Sequence, residues 1–228
     1  MKGLSCIIPA YNEAPRIEAV LNSVIDHPLI DEVIVVDDGS RDGTAEIAAR
    51  VPGIRLIRLP QNRGKSWAVA EGVAAAEHEL ILLLDSDLLG LAPESLASLI
   101  FPVRDGRADV TISLRGNAPL LWRLIGLDYI SGERVLPKAL IGAPEALRAL
   151  PRFGLEMHLN RRMIAARARI MVVEWPKVAS PWKGSKRGAW EGIKADAKML
   201  ADMFRTVPLH SAMAQIWAMI GLRAPTLY

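Results

Sequence analysis

Five short aliphatic runs alternate with amphipathic segments of helical period along the first half of the chain, and this alternation constrains the fold more than any other feature. Leu4 to Ile8, Glu32 to Val36, Ile54 to Arg58, Leu80 to Leu84 and Asp109 to Ser113 are the strand candidates. Between them Ala14 to Asp26, Thr44 to Arg50, Lys65 to Glu77 and Pro93 to Val103 carry helical spacing, the last with Pro at an acceptable early position. Strand and helix in strict alternation predict βαβ units with right-handed crossovers, a mainly parallel sheet between helical layers. Ligands are then expected at the carboxyl ends of the strands.

After Ser113 the alternation breaks. Ala118 to Tyr129 and Leu155 to Arg167 read as helical, Ile170 to Glu174 as a late strand, and Pro176 to Gly188 as a loop rich in Pro, Ser, Gly and Lys. Two helices are expected beyond it: an amphipathic one from Trp190 to Thr206, and an apolar segment with Met213, Trp217 and Met219. The expected organisation is a domain over residues 1–176 and a basic, helical extension over 177–228. From Lys177 onward eight Lys or Arg face three acids, so the net charge of +3 comes from this last quarter.

Composition excludes several classes. The single cysteine, Cys6, allows no disulfide within the chain and no Cys cluster for zinc, which fits a reducing, cytoplasmic setting. The opening MKGLSCIIPAYNEA is too short in its apolar part for a signal peptide and reads as a first strand. No stretch offers the roughly 20 uninterrupted apolar residues of a membrane span. The C-terminal helices are therefore the candidate for peripheral contact with the inner face of a membrane, the alternatives being packing on the domain or a dimer contact. Nucleic acid is not expected, because the basic residues are not interleaved with stacking aromatics.

Chemistry gathers at three strand ends. VIVVDDGSRDGT runs from a buried strand straight into Asp37, Asp38 and Asp42, and LILLLDSDL ends in Asp85 and Asp87. In extended chain, residues two apart point to one side, so Asp85 and Asp87 converge. Two such carboxylates suit a hard divalent cation, Mg²⁺ or Mn²⁺, that also bridges diphosphate oxygens. The first strand delivers Pro9, Ala10, Tyr11, Asn12 and Glu13 to the same edge, a polar rim suited to a nucleoside. Asp42, just before Gly43 and a helix, reads as a turn or cap residue, and Asp37 as shaping the strand end.

IIPAYNEA, VIVVDDGSRDGT, QNRGKSWAVAEG and LLLDSDL, in this order and spacing, resemble the family 2 glycosyltransferases of GT-A fold over roughly the first 115 residues. The resemblance implies a nucleotide-sugar-binding α/β/α sandwich. It places Pro9, Ala10, Tyr11, Glu13 and Asp38 at the nucleoside, Lys65 near the donor, and Asp85 and Asp87 at the metal and diphosphate. Glu156 in RFGLEMHLN matches a later acidic motif and becomes the candidate base for a hydroxyl acceptor. His158, about 200° away on a helix, reads as a partly buried helix residue. SGERVLP resembles an acceptor-side segment, with Arg134 either on an acceptor phosphate or in a surface salt bridge. SPWKGSKRG would close over the diphosphate through Lys183, Lys186 and Arg187, or form a basic hinge.

The implied activity is metal-dependent transfer of a hexose from a nucleotide sugar, a UDP-sugar by preference. The acceptor is a glycan, a lipid-linked or a phosphorylated molecule, in glycan or envelope assembly. Three other readings stay open: a retaining glucosyl-phosphoglycerate-synthase-like enzyme, matching Gly154-Leu155-Glu156; a non-catalytic nucleotide-sugar-binding scaffold; and a nucleotidyltransferase, disfavoured because PAYNEA lacks a glycine-rich phosphate loop.

Overall fold

A computed structural model describes residues 3–151, 154–181 and 208–224. The expected Trp190 helix and Lys183, Lys186 and Arg187 lie outside the described residues. Seven strands form one sheet: β1 (Leu4–Ala10), β2 (Glu32–Asp37), β3 (Ile54–Arg58), β4 (Leu80–Leu83), β5 (Val110–Arg115), β6 (Arg134–Pro137) and β7 (Ile170–Trp175). Their order is β3-β2-β1-β4-β6-β5-β7, and β6 alone runs antiparallel to its neighbours. The helices are α1 (Ile17–Val24), α2 (Thr44–Ala49), α3 (Lys65–Ala75), α4 (Pro93–Arg104), α5 (Leu120–Ile125), α6 (Lys138–Ile141), α7 (Pro144–Arg148), α8 (Gly154–Ala165) and α9 (Leu209–Gly221).

Both faces of the sheet are covered, as near-continuous aliphatic strands require. Ile7, Ile34, Val36, Ile81 and Leu83 enter a core with residues of α3, α8 and α9. Cys6, Ile8, Val33, Val35, Leu80 and Leu82 point the other way, into a second core with residues of α1, α2 and α4. The chain builds outward from β1 to β2 to β3, then returns to the far side of β1 with β4. That reversal opens a crevice at the carboxyl ends of β1 and β4.

The five expected strands and the late one are present within one or two residues of their expected ends. Four elements differ from expectation. The segment expected to be helical from Ala118 to Tyr129 is helical only over α5, because Gly126 takes a left-handed conformation and ends it. RVLP, part of the segment resembling an acceptor-side motif and given no secondary structure, is β6, and α6 and α7 follow it. Four residues closed by a proline carry too little periodicity to mark a strand. Because β6 is antiparallel, the residues just before it, Ser131 to Glu133, lie at the carboxyl edge of β4 and β5.

The C-terminal helix α9 belongs to the same body. Ala212 and Met219 enter the core that α3 and α8 share, and Tyr129 Oη donates to Gln215 Oε1 at 2.9 Å. No helix among the described residues is long and apolar enough to cross a membrane.

One turn is fixed by close approach. Gly39 has φ +72°, and a Cβ there would sit 2.6 Å from the backbone of Gln61. Gly43 has φ +88° with nothing within 4 Å of the same point. G43A is therefore expected to cost only the left-handed backbone term, about 1–2 kcal/mol. G39A is expected to cost more, and paired denaturant titrations check the difference.

Candidate active site

The carboxyl ends of β1, β2 and β4 lie side by side. Asp38 N donates to Ala10 O at 2.8 Å and Leu84 N to Ile7 O at 3.1 Å, so PAYNEA, DDGS and DSD form one rim. Pro9 and Ala10 end β1, and the Tyr11 ring is exposed above them. Asn12 turns the chain with φ 55°, and its Oδ1 accepts from Arg41 N at 2.9 Å. Glu13 N donates to Thr44 Oγ1 at 2.8 Å, while the Glu13 carboxylate pairs with Arg16 at 2.7 Å. Asp42 accepts from Ala14 N and Thr44 N, both at 3.1 Å. It thus ties the loop after β1 to the start of α2, the turn role expected of it.

Asp38, expected at a nucleoside, has an internal task. Its carboxylate accepts from Asn62 Nδ2 at 2.9 Å, Arg63 N at 2.8 Å and Gly64 N at 2.7 Å. Burial raises its pKa, against the pull of the two backbone donors. Any contact with a nucleoside would be additional to this anchoring. Asp37, also buried, accepts from Ser40 N at 3.2 Å.

The anchored 62–64 turn delivers Lys65 as the first residue of α3. Its Nζ lies 2.7 Å from Asp85 Oδ1 and 3.2 Å from Glu156 Oε1. Glu156 is in the first turn of α8, buried but for 7%. Burial works against the Lys65 charge, but Asp85 and Glu156 outweigh it and hold the ammonium above the ordinary lysine value. Burial likewise raises the Asp85 carboxyl, and Lys65 and Arg115 more than offset this, holding it below the ordinary aspartate range. Ser86 and Asp87 form a turn after β4, so the alternation that governs the strand does not extend to Asp87.

A second tier of charge stands behind this triad. Arg115 closes β5, with Asp128 Oδ2 at 3.5 Å and Glu133 Oε1 at 3.4 Å, and it donates to Ser180 Oγ. Glu133 is fully buried and accepts from Ser113 Oγ at 2.6 Å and Ser131 Oγ at 2.9 Å. A Cβ on Gly132 would sit 2.6 Å from both Asp85 carboxylate oxygens, so this segment packs its bare backbone on the first aspartate of DSD. Sequence reasoning missed Arg115, Asp128 and Glu133. One signal was present for Arg115: VTISLR is an apolar strand closed by a charge, the pattern already used at Asp38 and Asp85.

Neither expectation for Arg134 holds. It is fully buried, donating to Ser131 O at 2.9 Å, Asn160 Oδ1 at 2.6 Å and Tyr129 O at 3.2 Å. Its donors are turned inward to carbonyls, so it meets neither an acceptor phosphate nor solvent. His158, as expected, is partly buried, with Nε2 2.9 Å from Ile141 O.

Among the described residues the cluster holds five carboxylates (Asp85, Asp87, Asp128, Glu133 and Glu156) against three cations (Lys65, Arg115 and Arg134). The excess of two negative charges, from oxygen donors only, matches a hard divalent cation. No group of three or more His, Cys, Asp or Glu side chains among the described residues is placed to hold a metal. Asp85 and Asp87 would therefore hold one jointly with ligand phosphate oxygens, the usual arrangement for Mg²⁺.

Asp128 gives this tier a pH signature. Burial pushes its carboxyl up to about 6 from 3.8, with Arg115 pulling the other way. The folded state thus holds the proton more tightly than the unfolded chain, and stability from this group is lost as pH rises through that window. Relative to D128N, the wild type is expected to lose up to about 3 kcal/mol between pH 3.5 and 6.5. Parallel urea titrations across the window check it.

Comparison with known proteins agrees with this geometry. The chain is 42% identical over 94 residues to a dolichyl-phosphate beta-glucosyltransferase of Trichomonas vaginalis, covering 36% of this chain and 28% of that protein. It is 34% identical over 112 residues to glucosyl-3-phosphoglycerate synthase of Mycobacterium tuberculosis, covering 45% of this chain and 34% of that protein. The alignments thus span about a third or less of the curated relatives' length. The crystal structure of the M. tuberculosis synthase with Mn²⁺, UDP-glucose and glycerol 3-phosphate superposes with TM-score 0.66 at 25% identity, over 90% of this chain and 80% of that one. Its complex with Mg²⁺ and UDP gives 0.64, also at 25% identity, over 88% and 79%. The family model for glycosyl transferase family 2 matches residues 5–156, from β1 to the first turn of α8, and the chain belongs to that family.

Proposed function

We propose that the protein transfers a hexosyl group from a UDP-sugar to a phosphate-bearing acceptor, in glycan or cell-envelope assembly. The observation that carries this reading is the pairing of Lys65 with Asp85 and Glu156 at the reversal point of the sheet, within a wider cluster of five carboxylates and three cations. Pro9, Ala10, Tyr11, Glu13 and Asp38 form the nucleoside rim, and Asp85 and Asp87 would hold Mg²⁺ or Mn²⁺. The cation supplies Lewis-acid neutralisation of the leaving diphosphate. Support for the cation and for UDP comes from the complexes of the mycobacterial synthase.

The rest of the chemistry belongs to the chain's own residues. The bond from the anomeric carbon to the diphosphate oxygen breaks with its electron pair on the diphosphate, and a bond forms to an acceptor oxygen. Lys65, on a turn anchored by Asp38, is placed to swing its charge from Asp85 towards the diphosphate. Glu133, held by Ser113 and Ser131, and the bare backbone of Gly132 back Asp85 from behind. Glu156, beside Lys65, takes the proton from an acceptor hydroxyl in this reading. An acceptor phosphate is already an anionic nucleophile and leaves Glu156 a positioning role. The dolichyl-phosphate enzymes favour a phosphate nucleophile, and the phosphoglycerate synthase, matched over most of its fold, favours a hydroxyl on a phosphorylated acid.

UDP with Mn²⁺ is expected to raise the melting temperature of the wild type, and D85N to abolish the shift. Absence of a shift with every nucleotide sugar and either metal would refute the donor site. With a polyprenyl phosphate acceptor, E156Q is expected to keep turnover within about tenfold of wild type. With a hydroxyl acceptor it is expected to lose the general-base factor of about 10²–10⁴. Radiolabelled transfer assays separate the two.

A further inference from the structure

The outer faces of α5 and α9 expose stripes of large apolar side chains, with Arg123 on α5 and His210 on α9 as the polar exceptions. On α9, Leu209, Met213 and Trp217 recur every fourth residue on the outside, Trp217 being 71% exposed, while Ala212, Gln215 and Met219 face the core. No Asp, Glu, Lys or Arg occurs from Pro208 to Leu222. On α5, Leu120, Leu121 and Leu124 are exposed, Leu124 at 77%, while Trp122 is buried. These six account for most of the nine large hydrophobic residues exposed among the described residues. An ordinary surface helix turns charged residues outward, and single exposed apolar residues are unremarkable where a concentration is not.

The two helices are tied together. Arg223, just after α9, donates to Ile125 O at the end of α5 at 3.2 Å. Tyr129, whose ring lies 5.8 Å from Trp122, donates to Gln215 of α9. α5 also follows Arg115 by a short loop, so it starts from the carboxyl edge that holds the acid cluster. Finally, residues 182–207, which lead directly into α9, carry six Lys or Arg against three acids. Arg123 on α5 and Arg223 just after α9 are exposed beside the apolar stripes and neither helix carries an acid, so a second copy would oppose like charges whereas an anionic surface would neutralise them.

We propose that the α5 and α9 face docks on an anionic lipid bilayer, seating Trp217 and Leu124 at the headgroup boundary beside the site. The docking extends the transferase reading by naming a lipid-borne phosphate as acceptor, but it is tested without it. The full chain is floated with phosphatidylcholine vesicles and with vesicles containing phosphatidylglycerol. Binding is expected to the anionic vesicles and to be weaker on the neutral ones. L124E and W217E, each measured separately, are expected to weaken it by about tenfold or more, because each removes a large apolar group from the contact. Both are expected to keep the melting temperature and the affinity for UDP with Mn²⁺; a variant that loses its melting transition is replaced by the other.

No binding to anionic vesicles, equal binding to both vesicle types, or unchanged binding by the folded variants overturns the proposal. So does a wild-type dimer in solution that L124E or W217E converts to monomer, since the face would then belong to a second copy. Vesicle binding without any UDP affinity would overturn the transferase reading alone. UDP affinity without vesicle binding would overturn only the docking.

Discussion

The ammonium of Lys65, 2.7 Å from Asp85 and 3.2 Å from Glu156, joins groups up to 91 positions apart in the chain. Buried or half-buried carboxylates at the end of parallel strands repel one another, and the edge of this sheet collects more of them than of cations. The arrangement holds only because a cation stands among them and each is hydrogen-bonded or ion-paired in turn. Lys65 is itself placed by Asp38, whose carboxylate fixes the three residues before it. The acids of DDGS thus act on the DSD motif through the turn at 62–64.

This indirect linkage explains why the acids at the parallel strand ends could be read from sequence and the charges that support them could not. Parallel strands and their crossover helices have strong period, and their carboxyl ends are where a buried apolar run meets a charge. DDGS, GKS and DSD could therefore be found by looking where the aliphatic runs stop. The segment Asp128 to Arg134 follows another logic. Its strand has four residues, runs against the rest of the sheet and is preceded by buried charges rather than an apolar run. Arg134 illustrates the difficulty. A sequence containing Gly-Glu-Arg looks solvated, and only the register Leu83↔Arg134↔Ile112 shows the guanidinium inside the sheet, satisfied by carbonyls.

The C-terminal region was legible in character but not in placement. The lack of charge in α9 is a sequence fact, and helical spacing of Met and Trp is equally compatible with a core, a dimer or a membrane. The structure divides the helix: Ala212, Gln215 and Met219 are buried against the core that α3 and α8 share, and Leu209, Met213 and Trp217 remain outside.

Tyr129 gives that division a consequence for how the molecule is made. Its carbonyl accepts from Arg134 and Asn160, and its hydroxyl reaches Gln215, 86 residues later. The backbone that supports Asp85 from behind is therefore braced by a helix that leaves the ribosome after β7. A growing chain can close β1, β2 and β4 into a sheet and bring its aspartates together early. The loop beneath them keeps a loose end until α9 arrives, so the acidic rim forms in synthesis order before the floor that holds it rigid.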